Sequence, residues 1–178
     1  MFRIACEEWT IGCSPEGLPA IYGAYREHAA LAEEFGLERT DGECCFVGVQ
    51  RGLDWPFLTV AQRCTPTPSQ GFCPGALVVP ETRLLFLGAG TRLLAYRLDG
   101  PERIWQDTAD IGFWGWQRHG EFVVMSAEIE MAAWGIDGVK IWSTYVEPPW
   151  EYLVHDGIVH LDVMGSKLTF PIASGPLQ

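Results

Sequence analysis

The sequence predicts a mainly β fold of repeated four-stranded antiparallel sheets, about three and a half of them, with one N-terminal helix. Three observations lead there. Two segments, RLLFLGAGTRLLAYRLDGPERIWQDT (Arg83–Thr108) and EFVVMSAEIEMAAWGIDGVKIWSTYV (Glu121–Val146), align at a steady offset. Asp99-Gly100 returns as Asp137-Gly138, Ala95-Tyr96 as Ala133-Trp134 and Ile104-Trp105 as Ile141-Trp142, each 37 or 38 residues later. The apolar positions run in short β-branched and aromatic stretches punctuated by Gly, Asp-Gly and Pro, which is the pattern of strands and hairpins. Four short strands returning at nearly 40 residues is the period of a propeller blade, so the sheets are expected to be propeller-like.

Along the chain, MFRIACEEW is expected to pair as a closing strand, or the protein to form a homodimer, because an incomplete set of blades leaves unpaired edges. In residues 14–36, Leu18, Tyr22, Tyr25, Ala29, Ala32 and Phe35 recur at three- and four-residue spacing, Pro19 suits the first helical position and Gly36 the stop. This predicts a helix over 19–35, acidic on its far face (Glu27, Glu33, Glu34, Glu38), lying against the sheets or covering an edge. Cys45–Arg63 has the length and place of a degenerate unit, and the proline-rich Cys64–Pro80 reads as an irregular loop leading into a strand. In the best copy the strands are Phe113–Arg118, Phe122–Ser126, Met131–Gly135 and Val139–Thr144, with turns at His119-Gly120, Glu128–Glu130 and Asp137-Gly138. A truncated copy begins at Ile158 and runs to Gly175. The length, 178 residues, suits a single domain over 1–178, divided into an N-terminal strand and helix (1–42) and blade-like repeats (43–178).

The repeat motif is a small apolar strand, Ala-aromatic, an Asp-Gly turn and Ile-Trp, written here as LLAYRLDGPERIW and MAAWGIDGVKIW. It resembles the tryptophan-docking blade of the quinoprotein-type (PQQ-repeat) β-propellers, over roughly half the chain. The resemblance implies that Trp105 and Trp142, on the fourth strands, pack over a turn glycine and the backbone of a neighbouring blade. Quinoprotein dehydrogenases use a full ring of blades around a cofactor and a metal, whereas propellers typically need at least about four blades. No quinone cofactor is therefore expected, nor any other, and what the resemblance leaves is a rigid surface for contacts.

Charge narrows the partner. Twenty-three carboxylates against twelve basic residues give a net charge of −11, and the ten arginines and two lysines are scattered along the sequence. Nucleic acid and anionic membranes, which need a positive patch, are disfavoured; a basic protein or small molecule is favoured. Glu7 and Glu8 stand where a signal peptide needs an apolar run, no stretch approaches 18 apolar residues, and a cytoplasmic address is expected. The six cysteines read as reduced, buried thiols, and without a C-x-x-C pair or a histidine at ligand spacing no metal is expected. GAGTRL at Gly88 lacks the third glycine and following helix of a dinucleotide loop, and GCSPEG at Gly12 has the wrong spacing for a nucleophile elbow. A Cys-His nucleophile stays open, since such partners meet in space.

The candidate site follows from strand direction. In a four-stranded blade the turn between strands two and three and the exit from strand four emerge at one end. Glu128 and Glu130 occupy the first kind of position; Asp107, Asp110 and Glu147 the second. An acid lies five residues past each tryptophan (Asp110, Glu147) and an aromatic eight past (Phe113, Trp150). These five acids are expected to converge into an acidic surface flanked by aromatics. In DIGFWGWQRHG, Phe113, Trp114 and Trp116 fall on a first strand as inter-blade core, whichever of Trp114 and Trp116 is exposed offering a platform for a carbohydrate or planar ligand. The function expected is a small cytosolic, non-enzymatic binding module using Asp107, Asp110, Glu128, Glu130, Glu147, Trp114 and Trp150. One alternative is a carboxylate-dependent hydrolase built on Glu128, Glu130 and His119, which the layout opposes by placing His119 at the other end of the blade. The other is a toxin-neutralising immunity-type inhibitor, suggested by small size and acidity.

Overall fold

The computed structural model describes residues 2–15 and 17–177. They form four sheets. The first contains β1 (Phe2–Cys6), β2 (Trp9–Ser14), β3 (Leu31–Phe35), β4 (Glu43–Arg51) and β5 (Leu58–Cys64) in the order β1-β2-β4-β5-β3, with a short helix α1 (Tyr22–His28) between β2 and β3. The second is the meander β6 (Gly75–Val79), β7 (Leu84–Ala89), β8 (Arg92–Arg97) and β9 (Glu102–Thr108). The third is β10 (Phe113–His119), β11 (Phe122–Ala127), β12 (Glu130–Gly135) and β13 (Lys140–Tyr145); the fourth is β14 (Trp150–His155), β15 (Ile158–Val163) and β16 (Ser166–Pro171). Except for β3, which runs parallel to β5, all pairings are antiparallel. The sheets are propeller-like blades, as the repeat predicts.

Their faces explain the sequence. Central strands such as β7 are buried on both sides and read as continuous apolar runs, whereas β2 alternates, burying Trp9, Ile11 and Cys13. Three cores lie between successive sheets. Ile11, Val47, Val49, Leu58 and Val60 of the first sheet meet Leu85, Leu87, Leu94 and Tyr96 of the second. Phe86, Leu93 and Ala95 on the second sheet's other face meet Phe113, Val123, Met125 and Trp134 of the third. Val124, Met131, Ala133 and Trp142 meet Val159, Leu161 and Phe170 of the fourth. Beyond that, register puts Glu151 beside Asp162 and Lys167, and Leu153 beside His160 and Thr169, on the fourth sheet's outward face. Charged and polar side chains predominate on that face.

The tryptophans of the fourth strands join neighbouring sheets. Trp105 Nε1 donates to the Gly138 carbonyl at 2.8 Å, and Trp142 Nε1 donates to that of Ile172 at 2.6 Å. A Cβ on Gly175 would lie 2.6 Å from the Trp142 ring, and one on Gly138 3.5 Å from Trp105 Nε1. Gly175 and Gly138 have left-handed backbones, φ +72° and +86°, so conformation favours glycine at both, and the close approach of the Trp142 ring adds to this at Gly175.

The N-terminal third differs from expectation. The helix ends at His28 instead of reaching residue 35, because Leu31–Phe35 supplies a strand that pairs with the open edge of β5. Leu31, Glu33 and Phe35 alternate with Ala32 and Glu34, so the same residues satisfy period two as well as the helical spacing, and tertiary pairing decides between them. Tyr96 Oη donates to Glu33 at 2.6 Å, tying this strand to the second sheet. The helix packs on the outward face of the first sheet, not over an edge: Tyr22 and Tyr25 lie 5.7 and 5.8 Å from the Phe46 ring, and His28 stacks on Trp55 at 4.6 Å. Cys45–Arg63 is the β4–β5 hairpin inside a five-stranded sheet, and the last copy begins one strand before Ile158, at Trp150. The proline-rich segment contains a single 3₁₀ turn at Pro68–Gln70 before β6. Cys45 and Cys64 bring their buried Sγ atoms to 2.9 Å, and hydrogen bonding between them, with burial, raises the pKa of the Cys45 thiol.

Candidate functional site at the third and fourth sheets

Residues of β10 and β14 build an aromatic strip. A β-bulge between Phe113 and Gly115 takes Trp114 out of the ladder, so Phe113 is fully buried while Trp114 stays 39% exposed. Trp114 stacks on Trp150, centroids 5.4 Å apart and planes 23° from parallel, and Trp150 stacks in turn on Tyr152 at 6.2 Å. Trp150 is held by a 3.2 Å hydrogen bond from Nε1 to the Glu128 carbonyl. Tyr152 donates to Gln117 Oε1 at 2.8 Å, and burial pushes its phenol up to about 12. Trp116 belongs to the core, packed among Phe86, Phe113 and Trp134.

The five acids divide into two groups. Lys140 Nζ reaches Asp107 at 2.8 Å and Glu130 at 4.0 Å, and the other Glu130 oxygen accepts the Asp110 amide at 3.1 Å. Asp107 and Glu130 are therefore partly neutralised where β9 meets the third sheet, and Glu130 is buried there. They knit two sheets together. Asp110 and Glu147 are exposed and Glu128 is half-buried; none of these three carboxylates has a cationic partner among the described residues. The backbone places Glu128 beside the strip, its amide donating to Gly112, two residues before Trp114, and the Val146 amide, next to Glu147, donates to Ile129.

Burial raises the Glu130 pKa above its ordinary 4.5; the Asp110 amide and Lys140 oppose the shift, and Asp110 and Asp107 add to it. The folded state thus holds this proton more tightly than the unfolded chain does. Stability from the group is complete below pH 4.5 and is lost as pH rises through the higher folded value. Glu130→Gln is expected to melt at or above wild type at pH 7 and to lose its advantage as the pH falls below 4.5. Exposed Glu34, Asp41 and Glu81, whose pKa values are lowered by their arginine or tyrosine partners, act in the opposite sense in both proteins. The difference between the two melting curves against pH isolates Glu130; a uniformly lower melting temperature for the variant would refute the burial argument.

His119 ends β10, while Glu128 and Glu130 follow β11 at the other end, so the hydrolase grouping is not assembled. Burial lowers the His119 pKa, and its ring meets Tyr152 edge-on at 5.9 Å. Among the described residues no three His, Cys, Asp or Glu side chains gather as a metal site requires, and no helix is long and apolar enough to cross a membrane. Tyr152 and Gln117 were not among the sequence candidates; alternation from Trp150 along β14 is the signal that points to Tyr152.

No protein-family model matches the sequence, and no curated protein sequence matches it. Among solved structures, KlHsv2 with its loop 6CD replaced by a Gly-Ser linker matches 57% of this chain and 36% of its own at 8% identity, TM-score 0.35. Kluyvelomyces marxianus Hsv2 matches 55% of this chain and 32% of its own at 10% identity, TM-score 0.32. Myxococcus xanthus glutaminyl cyclase matches 92% of this chain and 71% of its own at 12% identity, TM-score 0.35. The chain thus spans about a third of the length of the two Hsv2 proteins.

Proposed function

We propose that the chain is a cytoplasmic, non-enzymatic binding module that takes a basic partner on the strip formed by Trp114 and Trp150. The observation that carries this reading is a half-exposed tryptophan, stacked on a second, near carboxylates that have no cationic partner among the described residues. An arginine or lysine side chain over the Trp114 face would gain a cation–π contact of about 0.5–1 kcal/mol, more where water is excluded. Asp110, Glu128 and Glu147 would steer it there. Nucleic acid and anionic membranes do not suit such a surface. A basic toxin would be one case of this partner class, which keeps the immunity-type reading within the proposal. The docked tryptophans Trp105 and Trp142 support the finer kinship with quinoprotein-type blades.

The test is a fluorescence titration with a short arginine-glycine peptide. Trp114→Ala is expected to weaken binding about two- to fivefold, and the triple variant Asp110→Asn, Glu128→Gln, Glu147→Gln about tenfold. A control with the same charge change elsewhere, Glu27→Gln, Glu38→Gln, Asp54→Asn, is expected to weaken it less than about twofold. Equal losses in the two triple variants would mean that net charge, not this strip, attracts the peptide.

A further inference from the structure

We infer that the junction of β3, β8 and β9 binds a tetrahedral oxyanion of the phosphate or sulfate type through Arg92, with Arg103 and Arg39 completing the site. This does not depend on the aromatic strip, which lies between other sheets.

Four of the ten arginines come together around Phe35-Gly36. The guanidinium carbons of Arg92 and Arg103 stand 4.4 and 5.5 Å from the Phe35 centroid. At Gly36 a Cβ would lie 3.3 Å from Arg39 Cδ and 3.9 Å from Arg63 Cβ. Arg103 pairs with Glu33 at 3.3 Å, Arg39 pairs with Asp41, and Arg63 donates to the Gly42 carbonyl at 3.1 Å while its buried Nε has no acceptor among the described residues.

Arg92 is different. Among the described residues, seven of the ten arginines pair with a carboxylate. Arg3 has none among the described residues but is exposed. Arg92 is half-buried, and among the described residues neither a carboxylate nor any hydrogen-bond acceptor reaches it, although the chain carries 23 carboxylates. Glu38 and Asp41, in the loop beside Arg39, do not pair with it either. Burial disfavours its charge, Cys64 and Tyr96 oppose that shift, and Arg103 and Arg39 add repulsion. A partly desolvated cation without a counter-charge is costly, and an anion held between these groups removes the cost. The guanidinium fork matches oxyanion geometry. A tetrahedral oxyanion can offer separate oxygens to Arg92, Arg103 and Arg39, whereas a carboxylate has only two. The flat Phe35 ring holds both guanidiniums in place.

Calorimetric titration of the full chain with inorganic phosphate, with glycerol phosphate and with sulfate, each at ionic strength matched with chloride, tests this. Saturable binding of at least one in the millimolar range or tighter is expected. Arg92→Leu should weaken it about tenfold or more and Arg92→Lys, which keeps the charge but loses the fork, by less. Without anion, Arg92→Leu should melt no lower than wild type, since it removes an uncompensated charge and keeps contact with Phe35. Tighter binding of glycerol phosphate than of inorganic phosphate would identify a phosphorylated molecule as the source, and equal binding the free ion. No saturable binding by wild type, or unchanged binding by Arg92→Leu, would overturn the site.

Discussion

Trp142→Ala is expected to lower unfolding stability by about 3–5 kcal/mol, the range for truncating a buried tryptophan. Trp105→Ala, at the equivalent place one sheet earlier, should fall at or just below that range because its ring is less buried. Trp142 is 9% exposed, meets Phe170 edge-on at 5.5 Å, covers Gly175 and donates to Ile172. Truncation removes packing and leaves a buried carbonyl without its donor. Trp142→Phe separates the two effects: most of the packing returns, and the remaining deficit includes about 1 kcal/mol for the hydrogen bond. Urea unfolding of the three variants measures this. A loss below about 1 kcal/mol for Trp142→Ala would show that the docking does not hold the sheets together.

Gly88→Ala is expected to destabilise by about 1–3 kcal/mol, although alanine suits a strand better than glycine does. A Cβ there would lie 2.5, 2.6 and 2.7 Å from three atoms of the Phe113 ring, and one on Gly75 would lie 2.9 Å from the same ring. Phe113 is fully buried at the start of β10, lying flat on glycines of the second sheet. Gly115→Ala, with no atom within 4 Å of its Cβ, is the control and should be nearly neutral. In a double-mutant cycle, Phe113→Leu should recover part of the Gly88→Ala loss, because the smaller side chain makes room. Additive losses would show that the ring and the glycine do not compete for space.

These two sites show what a sequence makes legible. The best-read strands, Phe113–His119, Phe122–Ala127, Glu130–Gly135 and Lys140–Tyr145, fall within about a residue of expectation, since each is an apolar stretch bounded by Gly or Asp-Gly. The partners of Trp105 and Trp142 followed from a resemblance in a repeat. Leu31–Phe35 was misread because its spacing satisfies two periodicities and only the free edge of β5 chooses. Strand direction puts the acids Asp107 and Glu130 together, but nothing local announces that Lys140, at the start of β13, reaches both. The exposure of Trp114 depends on a one-residue bulge. The arginines at positions 39, 63, 92 and 103 look scattered because they come from four separate places in the chain, and their gathering is a property of sheet order alone.

The three separate cores make cooperativity directional. Each is shared by two adjacent sheets, so the described part of the chain behaves as a linear array with nearest-neighbour coupling rather than as one indivisible unit. The second and third sheets are supported on both faces, while the first leans on a helix and the fourth presents a polar face. Opening can then begin at a terminal sheet and travel inward one interface at a time, with the interior pair the last to yield. A ligand clasped between the third and fourth sheets would stiffen one end of the array, and its influence on the first would have to pass through every sheet between.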